Sequence, residues 1–402
     1  MAVEGTVSLT YAGAATAIRG ARSRLPSPMT TPPAIPRGKD GVVVGRSSIS
    51  WVDGQLGNLV SRGFDVRALV PGVPYESIVH LLLYGEPPGR DPSPEVLAEL
   101  ERRRGPSPEL ERLADALPPT LPPLEAMRTL ISLMGDGHYG YPPTRDDGFD
   151  LIARLPLLFT RYYRRARGLP AARPDRTGSQ VAIYLERLLG REPEPAKVRA
   201  LEGYFDLLAD HGMNASTFAL CITISTESDL FSAATAALGV LKGPRHGGAP
   251  SLVIDMLDQI GTPDRAADWV RGRLARKELL YGFGHRVYKV EDPRSELLHR
   301  LAKEVGDPDR LRLAETVETA ALAALRESRP GAKIYTNVEF YAAILLEATG
   351  VPPDCFTPTF ALARTAGWAA HALEQVEGNR VMRPDVVYDG PPPGRAWPRP
   401  LG

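Results

Sequence analysis

The sequence predicts a large protein built almost entirely from α-helices. Apolar residues recur with helical spacing along most of the 402 residues. These stretches begin at capping residues or prolines and end at glycines, as helices in globular proteins do. Only one region, residues 41–65, has the β-branched composition and turn of a hairpin. No repeat of fixed period occurs, so we expect an all-α fold with one large core or two domains.

The first 28 residues differ from the rest of the chain. They contain an acidic residue, Glu4, and no basic segment ahead of their weak apolar stretch, so they make a poor secretory signal. A second methionine, Met29, opens a segment typical of an ordinary domain start. We expect residues 1–39 to be a leader or a disordered tail, with Met29 as a possible true start.

The hairpin is predicted from two β-rich runs around a turn. "GVVVGRSSISWV" is followed by Asp53-Gly54, a common turn pair, and "LGNLVSRGF" is predicted as the second strand.

The rest of the chain is predicted to be helical. "SPEVLAELERRRG" starts at a Ser93 cap, and "DPDRLRLAETVETAALAALRESRPG" carries one apolar stripe until Pro330-Gly331 stops it. "FSAATAALGVL" is almost wholly apolar, so we expect it to be buried centrally. Helices are predicted over roughly 75–85, 93–105, 122–134, 147–167, 176–189, 194–211, 214–226, 229–241, 248–260, 263–275, 295–305, 307–329, 337–348 and 357–376. The proline-rich residues 391–402 are expected to be a disordered tail.

Composition argues against several classes of protein. The 48 basic and 48 acidic residues balance, which argues against a nucleic-acid-binding surface. Two cysteines in unrelated contexts, Cys221 and Cys355, argue against a disulfide framework and favour a reducing compartment. No apolar run reaches the ~18 residues that a membrane helix needs. We therefore expect a soluble protein in a reducing compartment, the cytoplasm.

Four polar segments interrupt the apolar helices. His211 lies in "ADHGMNAST", His246 in "LKGPRHGGAPS", His285 in "GFGHRVYKVEDPR" and Glu339 in "TNVEFYAA". Glycines beside the histidines let a backbone approach a ligand closely. Arg294, Arg364 and Arg383 complete the set of candidate functional side chains.

Each candidate also has a structural alternative. His211 can cap its helix, His246 and His285 can bond to backbone, and Glu339 can complement a helix dipole behind an Asn337 cap. His80, His138, His299 and His371 are expected to be structural. No spacing fits a metal site, and "GFG" lacks both the third glycine and the βαβ unit of a dinucleotide site.

Taken together, the segments indicate carbon–carbon bond chemistry. Two histidines in glycine-rich loops can each polarise a carbonyl oxygen, and one carboxylate can remove a carbon-bound proton. Arginines can clamp carboxylates bidentately. This is the equipment for joining an enolised thioester to a keto acid.

Several motifs resemble those of the citrate synthase family over about residues 40 to 390. They are "HGGA", "GFGHRVYKVEDPR", "NVEFY", "ARTAGW", "DHGMNAST" and "DGQLGNLVSRGFDV". The resemblance implies an all-helical homodimer in which a large domain, 40–241 plus 351–390, is interrupted by a small domain, 242–350. It also implies condensation of an acyl-CoA with oxaloacetate, with coenzyme A thioester as co-substrate and no permanently bound cofactor or metal.

The resemblance implies roles for individual residues. Glu339 would take a proton from the acetyl methyl, His246 would donate to the thioester oxygen, and His285 would polarise the keto carbonyl of oxaloacetate. Positions matching those that hold substrate carboxylates are His211, Arg294, Arg364 and Arg383, the last across the dimer. Positions matching the coenzyme A region are Tyr281, Gly282, Phe283, Gly284 and Lys289.

The chain departs from the family pattern at the base. The family has aspartate in "NVDFY" where Glu339 stands here, and one more methylene moves a carboxylate by roughly 1 Å. "APS" follows His246 in place of "ANE", and Cys221 stands where many members carry arginine. Three functions therefore stay open: citrate synthase first, 2-methylcitrate synthase using propionyl-CoA, or a weakly active ligand-binding paralogue.

Overall fold

The structure is a computed structural model that describes residues 41–135, 137, 140–172, 177–244, 246–247, 250–285 and 287–391. The expected leader with Met29, and nearly all of the expected tail, lie outside the described residues. Contacts divide the chain into two units. Arg46–Arg383 contains every helix and strand named below. The other unit joins the two ends of the chain, and its described residues, 41–45 and 384–391, form no helix or strand.

The described residues are predominantly helical, which confirms the predicted all-α class. Three short strands come first and sixteen α-helices follow. The strands are β1 Ser50–Asp53, β2 Asn58–Ser61 and β3 Phe64–Asp65. The helices are α1 Val66–Leu69, α2 Tyr75–Tyr84, α3 Pro94–Arg103, α4 Pro108–Ala116, α5 Pro123–Met134, α6 Arg145–Ala166, α7 Gln180–Leu189, α8 Pro195–Leu208, α9 Ala215–Ser225, α10 Leu230–Leu241, α11 Pro250–Ile260, α12 Ala266–Ala275, α13 Pro293–Val305, α14 Pro308–Ser328, α15 Val338–Thr349 and α16 Phe356–Val376.

Capping residues set many of these helix starts. The predicted Ser93 cap is confirmed, because its hydroxyl accepts a hydrogen bond from the Val96 N–H. The short helices α1 and α4 were not predicted. The start of α4 nevertheless carries a readable signal, since Ser107 caps it and a proline follows at the first helical position.

The N-terminal hairpin is shorter than its sequence predicts. β1 pairs antiparallel with β2 in the register Trp51↔Val60, and β2 pairs with β3. The first strand begins at Ser50, so the prediction of β structure from residue 41 is wrong for residues 41–49. The valines at 42–44 are exposed and form no strand, because β propensity needs a partner strand and a buried face.

Helix α16 is the central element of the fold. It packs against α2, α6, α8, α9 and α10, and its residues from Phe356 to Ala372 are buried almost without interruption. Gly367 is the point of closest approach. Its N–H donates to the carbonyl oxygen of Ala209, and a β-carbon there would lie 2.3 Å from that oxygen. The segment that follows α8 therefore lies directly on α16.

The apolar helix α10 is not buried on all sides within one chain. Ala233, Ala234 and Ala237 are buried, but Ser232 and Gly239 on the other side are exposed. The predicted central burial therefore holds for one side of α10 in the single chain and not for the side with Ser232 and Gly239. Its neighbour α9 likewise has Phe218 and Ile222 only half-buried.

Replacing Gly367 with alanine should destabilise the fold. The added carbon would meet two fixed atoms, Ala209 O at 2.3 Å and Asp210 Oδ1 at 2.7 Å. We expect a loss of about 1–3 kcal/mol in the free energy of unfolding, measured by urea denaturation. Gly272→Ala is the matched control, because its β-carbon would meet only the flexible Arg276 side chain, at 3.5 Å. It should be neutral or stabilising by up to about 1 kcal/mol. Equal stability of the two variants would contradict the tight contact.

Candidate active site

The framework of the site is the loop 282–284, which is hydrogen-bonded to residues 335–337 at the start of α15. Gly284 N–H donates to Tyr335 O, and Asn337 N–H donates to Gly282 O. Phe283 and Thr336 form an antiparallel bridge between these bonds. Gly282 and Gly284 have φ of +86° and +82°, in the left-handed region that favours glycine. The glycines therefore let the loop lie along the residues that lead into α15.

His285 follows this loop with a defined tautomer. Its Nδ1 accepts hydrogen bonds from the N–H groups of Val287 and Tyr288, both at 3.0 Å. An acceptor Nδ1 places the proton of a neutral imidazole on Nε2. Burial, then the charge of Arg294, lowers the pKa of His285 to about 4. At neutral pH the ring is thus an uncharged donor through Nε2–H.

Glu339 lies in the first turn of α15. Asn337 caps the helix, accepting a hydrogen bond from the Glu339 N–H, as the sequence predicts. Burial raises the pKa of the Glu339 carboxyl to about 7, and the positive charge of Arg294 opposes that shift. A carboxyl group with this pKa is half-ionised near neutral pH, which suits a general base.

Two arginines near the site are almost completely buried. Arg294 is 3% exposed and pairs through two hydrogen bonds with Asp292, the N-cap of its own helix α13. Arg364 is 1% exposed and donates from Nε to Leu208 O at 2.6 Å. Burial, with repulsion from Arg294, lowers the pKa of Arg364 to about 10, and the charges of Asp210 and Tyr204 oppose this shift. Two buried cations of this kind favour an anionic ligand.

His211 lies against the same loop. Its Nε2 is 3.1 Å from the hydroxyl oxygen of Tyr288, and its ring centroid is 6.1 Å from that of His285. Burial, then the charges of Arg294 and Arg364, lowers the pKa of His211 well below its usual range. The ring is therefore neutral. It does not cap α8, which ends at Leu208.

His246 approaches from the segment between α10 and α11. Its Nε2 is 2.9 Å from the Ser216 hydroxyl, and its ring packs edge-on against Phe360. The Arg364 guanidinium lies over the same Phe360 ring, 4.9 Å from its centroid. Burial, then the Arg364 charge, lowers the pKa of His246 to about 4, so this histidine is neutral as well.

The other predicted residues are placed less centrally. Tyr281 and Phe283 are half-buried and Lys289 is exposed, on either side of His285. Arg383 is exposed on the extended segment after α16, and its role across a dimer stays a prediction.

Of the four histidines expected to be structural, three lie among the described residues. His80 bonds Ser93, His299 bonds Glu315, and His371 is buried against Asp210 at 3.1 Å. His138 lies outside the described residues. Through Asp210, which directly precedes His211, His371 contacts the segment that carries one candidate site residue.

Sequence reasoning missed three residues that shape the site. Tyr288 contacts His211 and His285, Ser216 contacts His246, and Asp292 neutralises Arg294. Asp292 carried a signal, because an aspartate before proline is typical of a helix N-cap. Tyr288 and Ser216 lie inside the quoted motifs, but nothing in the sequence shows which way their side chains point.

The site combines uncharged hydrogen-bond donors, a half-buried carboxyl base and two buried arginines. Neutral histidines can donate to carbonyl oxygens, and Glu339 can accept a carbon-bound proton. Among the residues that the structure describes, no three His, Cys, Asp or Glu side chains come together as they would around a metal ion. No helix in the described part of the chain is long and apolar enough to cross a membrane.

The raised pKa of Glu339 has a measurable cost for folding. The folded pKa of about 7 exceeds the unfolded value of 4.5, so this carboxyl group lowers stability as pH rises from 4.5 to 7. Glu339→Gln removes this effect. It should therefore stabilise the protein by about 1–2 kcal/mol more at pH 8.5 than at pH 5.5, measured by urea unfolding. Glu109→Gln, at an exposed first-turn glutamate of α4, is the control. The same difference at both pH values would show that Glu339 titrates normally.

Comparison with known proteins gives a consistent family assignment. The family model described as "Citrate synthase, C-terminal domain" matches residues 38–385. Citrate synthase of Haloferax volcanii is 35% identical over 88% of this chain and 95% of its own length. 2-Methylcitrate synthase 2 of Corynebacterium glutamicum is 36% identical over 88% of this chain and 94% of its own. A solved ternary complex of carboxymethyl coenzyme A and oxaloacetate with the Thermoplasma acidophilum citrate synthase superposes with a TM-score of 0.83 at 28% identity, covering 90% of this chain and 98% of that one. The chain belongs to the citrate synthase family.

Proposed function

We propose that the protein condenses acetyl-CoA with oxaloacetate and water to give citrate and coenzyme A, the reaction that supplies citrate to the tricarboxylic acid cycle. The observation that carries the proposal is Glu339, a half-buried residue whose carboxyl pKa is raised to about 7 by desolvation. Its helix start is hydrogen-bonded to the loop that leads into His285. A base and a carbonyl donor are thereby held in one rigid unit.

The proposed reaction has three steps: proton removal, carbon–carbon bond formation and thioester hydrolysis. The Glu339 carboxylate removes a proton from the acetyl methyl, and the thioester oxygen takes up the electron pair while His246 donates a hydrogen bond to it. The resulting enol or enolate carbon forms a bond to the keto carbon of oxaloacetate, and the electron pair of the broken C=O π bond moves onto the keto oxygen, which accepts a hydrogen bond from His285 Nε2–H. This oxygen becomes a hydroxyl with the proton that Glu339 took from the methyl group, which restores the Glu339 carboxylate. Water then cleaves the thioester of citryl-CoA, which releases citrate and the coenzyme A thiol.

Oxaloacetate is the anion for which the buried cations are suited. Arg294 and Arg364 would hold its carboxylates, with His211 as a neutral donor beside them. Arg364 donates to a carbonyl oxygen and leaves most of its fork of donors for a ligand. Arg383, which is exposed, would complete the set from the partner subunit. The acyl-CoA would meet the loop Tyr281, Gly282, Phe283, Gly284 and Lys289.

The expected two-domain arrangement is part of this proposal. His211 and Arg364 belong to the proposed large domain, 40–241 plus 351–390. His246, His285 and Glu339 belong to the proposed small domain, 242–350. Since both contribute side chains, closure of one domain on the other would complete the site and exclude water.

A homodimer is proposed from the half-exposed apolar face of α9 and α10. Phe218 and Ile222 on α9, with Ala236 and Val240 on α10, are only partly buried in the single chain. Apolar helix faces of this kind are typical of subunit interfaces. The reduced cysteines Cys221 and Cys355, both buried, support a cytoplasmic location.

Propionyl-CoA is the second candidate acyl donor. One relative that is 36% identical is a 2-methylcitrate synthase, so the family includes both substrates. One additional methyl group changes the free energy of binding by only about 1–3 kcal/mol. Thiol release by the purified protein with acetyl-CoA or propionyl-CoA, each with and without oxaloacetate, decides between them. Preference for propionyl-CoA would reassign the substrate. No oxaloacetate-dependent release with either would leave a ligand-binding paralogue.

Glu339→Gln should nearly abolish turnover while oxaloacetate binding is retained. The amide has the same shape but cannot accept the methyl proton, so kcat should fall by about 10²–10⁴-fold. The measurement is thiol release alongside calorimetric titration with oxaloacetate. Glu109→Gln, at an exposed glutamate far along the chain, should keep the wild-type rate. Turnover unchanged by Glu339→Gln would show that another group is the base.

A further inference from the structure

The tip of the N-terminal hairpin has a well-defined shape. Asp53 Oδ1 accepts hydrogen bonds from the N–H groups of Gln55 at 2.8 Å and Leu56 at 3.0 Å. The Gly57 N–H donates to the Asp53 carbonyl oxygen at 2.9 Å. A turn closed by its own aspartate in this way is rigid. It can therefore act as a template for a segment packed on it.

This tip packs directly on the turn that follows His285. The Lys289 N–H donates to the Gly54 carbonyl oxygen at 2.7 Å. A β-carbon at Gly54 would lie 2.2 Å from the Val287 carbonyl oxygen, so only glycine permits this approach. Gly57 is similarly close, since a β-carbon there would be 2.8 Å from Val290 Cγ2. The two segments fit together backbone to backbone.

The turn that the hairpin contacts also orients the site. The N–H groups of Val287 and Tyr288 are the two donors to His285 Nδ1. The Tyr288 hydroxyl contacts His211 Nε2. A shift of this turn would release Nδ1 and with it the preference for a proton on Nε2.

The other end of the hairpin is anchored beside the remaining site residues. The Ser50 hydroxyl donates to Asp210, the neighbour of His211, and Asp210 also accepts from His371 of α16. The Ser48 N–H and hydroxyl both donate to Glu374 of α16. The hairpin thus spans from the segment of His211 to the segment of His285.

We propose that the hairpin tip, through Gly54, is a positioning element that sets the orientation and tautomer of His285. The inference rests on the proposed function, in which His285 polarises the keto carbonyl of oxaloacetate. Gly54 touches no substrate. It acts by holding the backbone of residues 287–289, whose N–H groups hold the imidazole.

The test is the Gly54→Ala variant, in which the ¹³C NMR resonance of the keto carbon of bound oxaloacetate is measured. The ¹³C resonance of [2-¹³C]oxaloacetate reports how strongly its keto group is polarised. In the variant we expect part of the shift caused by binding to be lost, and kcat/KM for oxaloacetate to fall by about tenfold to a hundredfold. Gly89→Ala, at an exposed glycine with open space around it and no left-handed φ, should match the wild type in both.

An unchanged carbonyl resonance in Gly54→Ala would overturn the proposal even if the rate falls. A fall in rate alone can result from a general loss of structure, whereas the proposal requires weaker polarisation of the keto group. If Gly54→Ala does not fold, Asp53→Ala is used instead, because it removes the hydrogen bonds that close the tip without adding atoms at the contact. Its keto-carbon resonance should then show the same partial loss of the binding shift. Failure of the proposed function would look different, since the wild-type protein would then release no coenzyme A thiol from either acyl-CoA when oxaloacetate is added.

Discussion

The burial of two arginine side chains beside each other is the constraint on which the site depends. Arg294 is neutralised by the bidentate pair with Asp292, but Arg364 donates to a carbonyl oxygen within the helical core. Keeping a guanidinium charged there is costly unless an anion arrives. The positive potential also contributes to keeping His211, His246 and His285 uncharged. One electrostatic arrangement thus prepares an anion site and supplies neutral hydrogen-bond donors around it.

The same field explains why a glutamate can serve as base at this position. Burial raises the pKa of Glu339, and Arg294 limits the rise to about 7. The helix N-terminus of α15 adds a partial positive charge that also favours the carboxylate. A longer side chain than aspartate needs a site that fits it, and the loop paired to residues 335–337 gives that position a rigid surround.

Sequence reasoning predicted the helical class, the hairpin turn, the Asn337 cap and the main candidate side chains, because each depends on local patterns. It failed where tertiary contacts decide. The valines at 42–44 have high β propensity and still form no strand, and α10 is apolar yet exposed on one side. Tyr288 and Ser216 were missed because their importance lies in contacts made by residues distant in sequence.

The most direct test of the account is calorimetric titration of Arg364→Leu with oxaloacetate. If the buried guanidinium is the anion site, the dissociation constant should rise at least about a hundredfold, which is about 2.7 kcal/mol. Arg164→Leu is the control, since Arg164 is also buried, at 6% exposed, but donates to the carbonyl oxygens of Pro170 and Leu188. It should bind oxaloacetate as the wild type does. An unchanged dissociation constant in folded Arg364→Leu would contradict the central claim that buried positive charge builds this site.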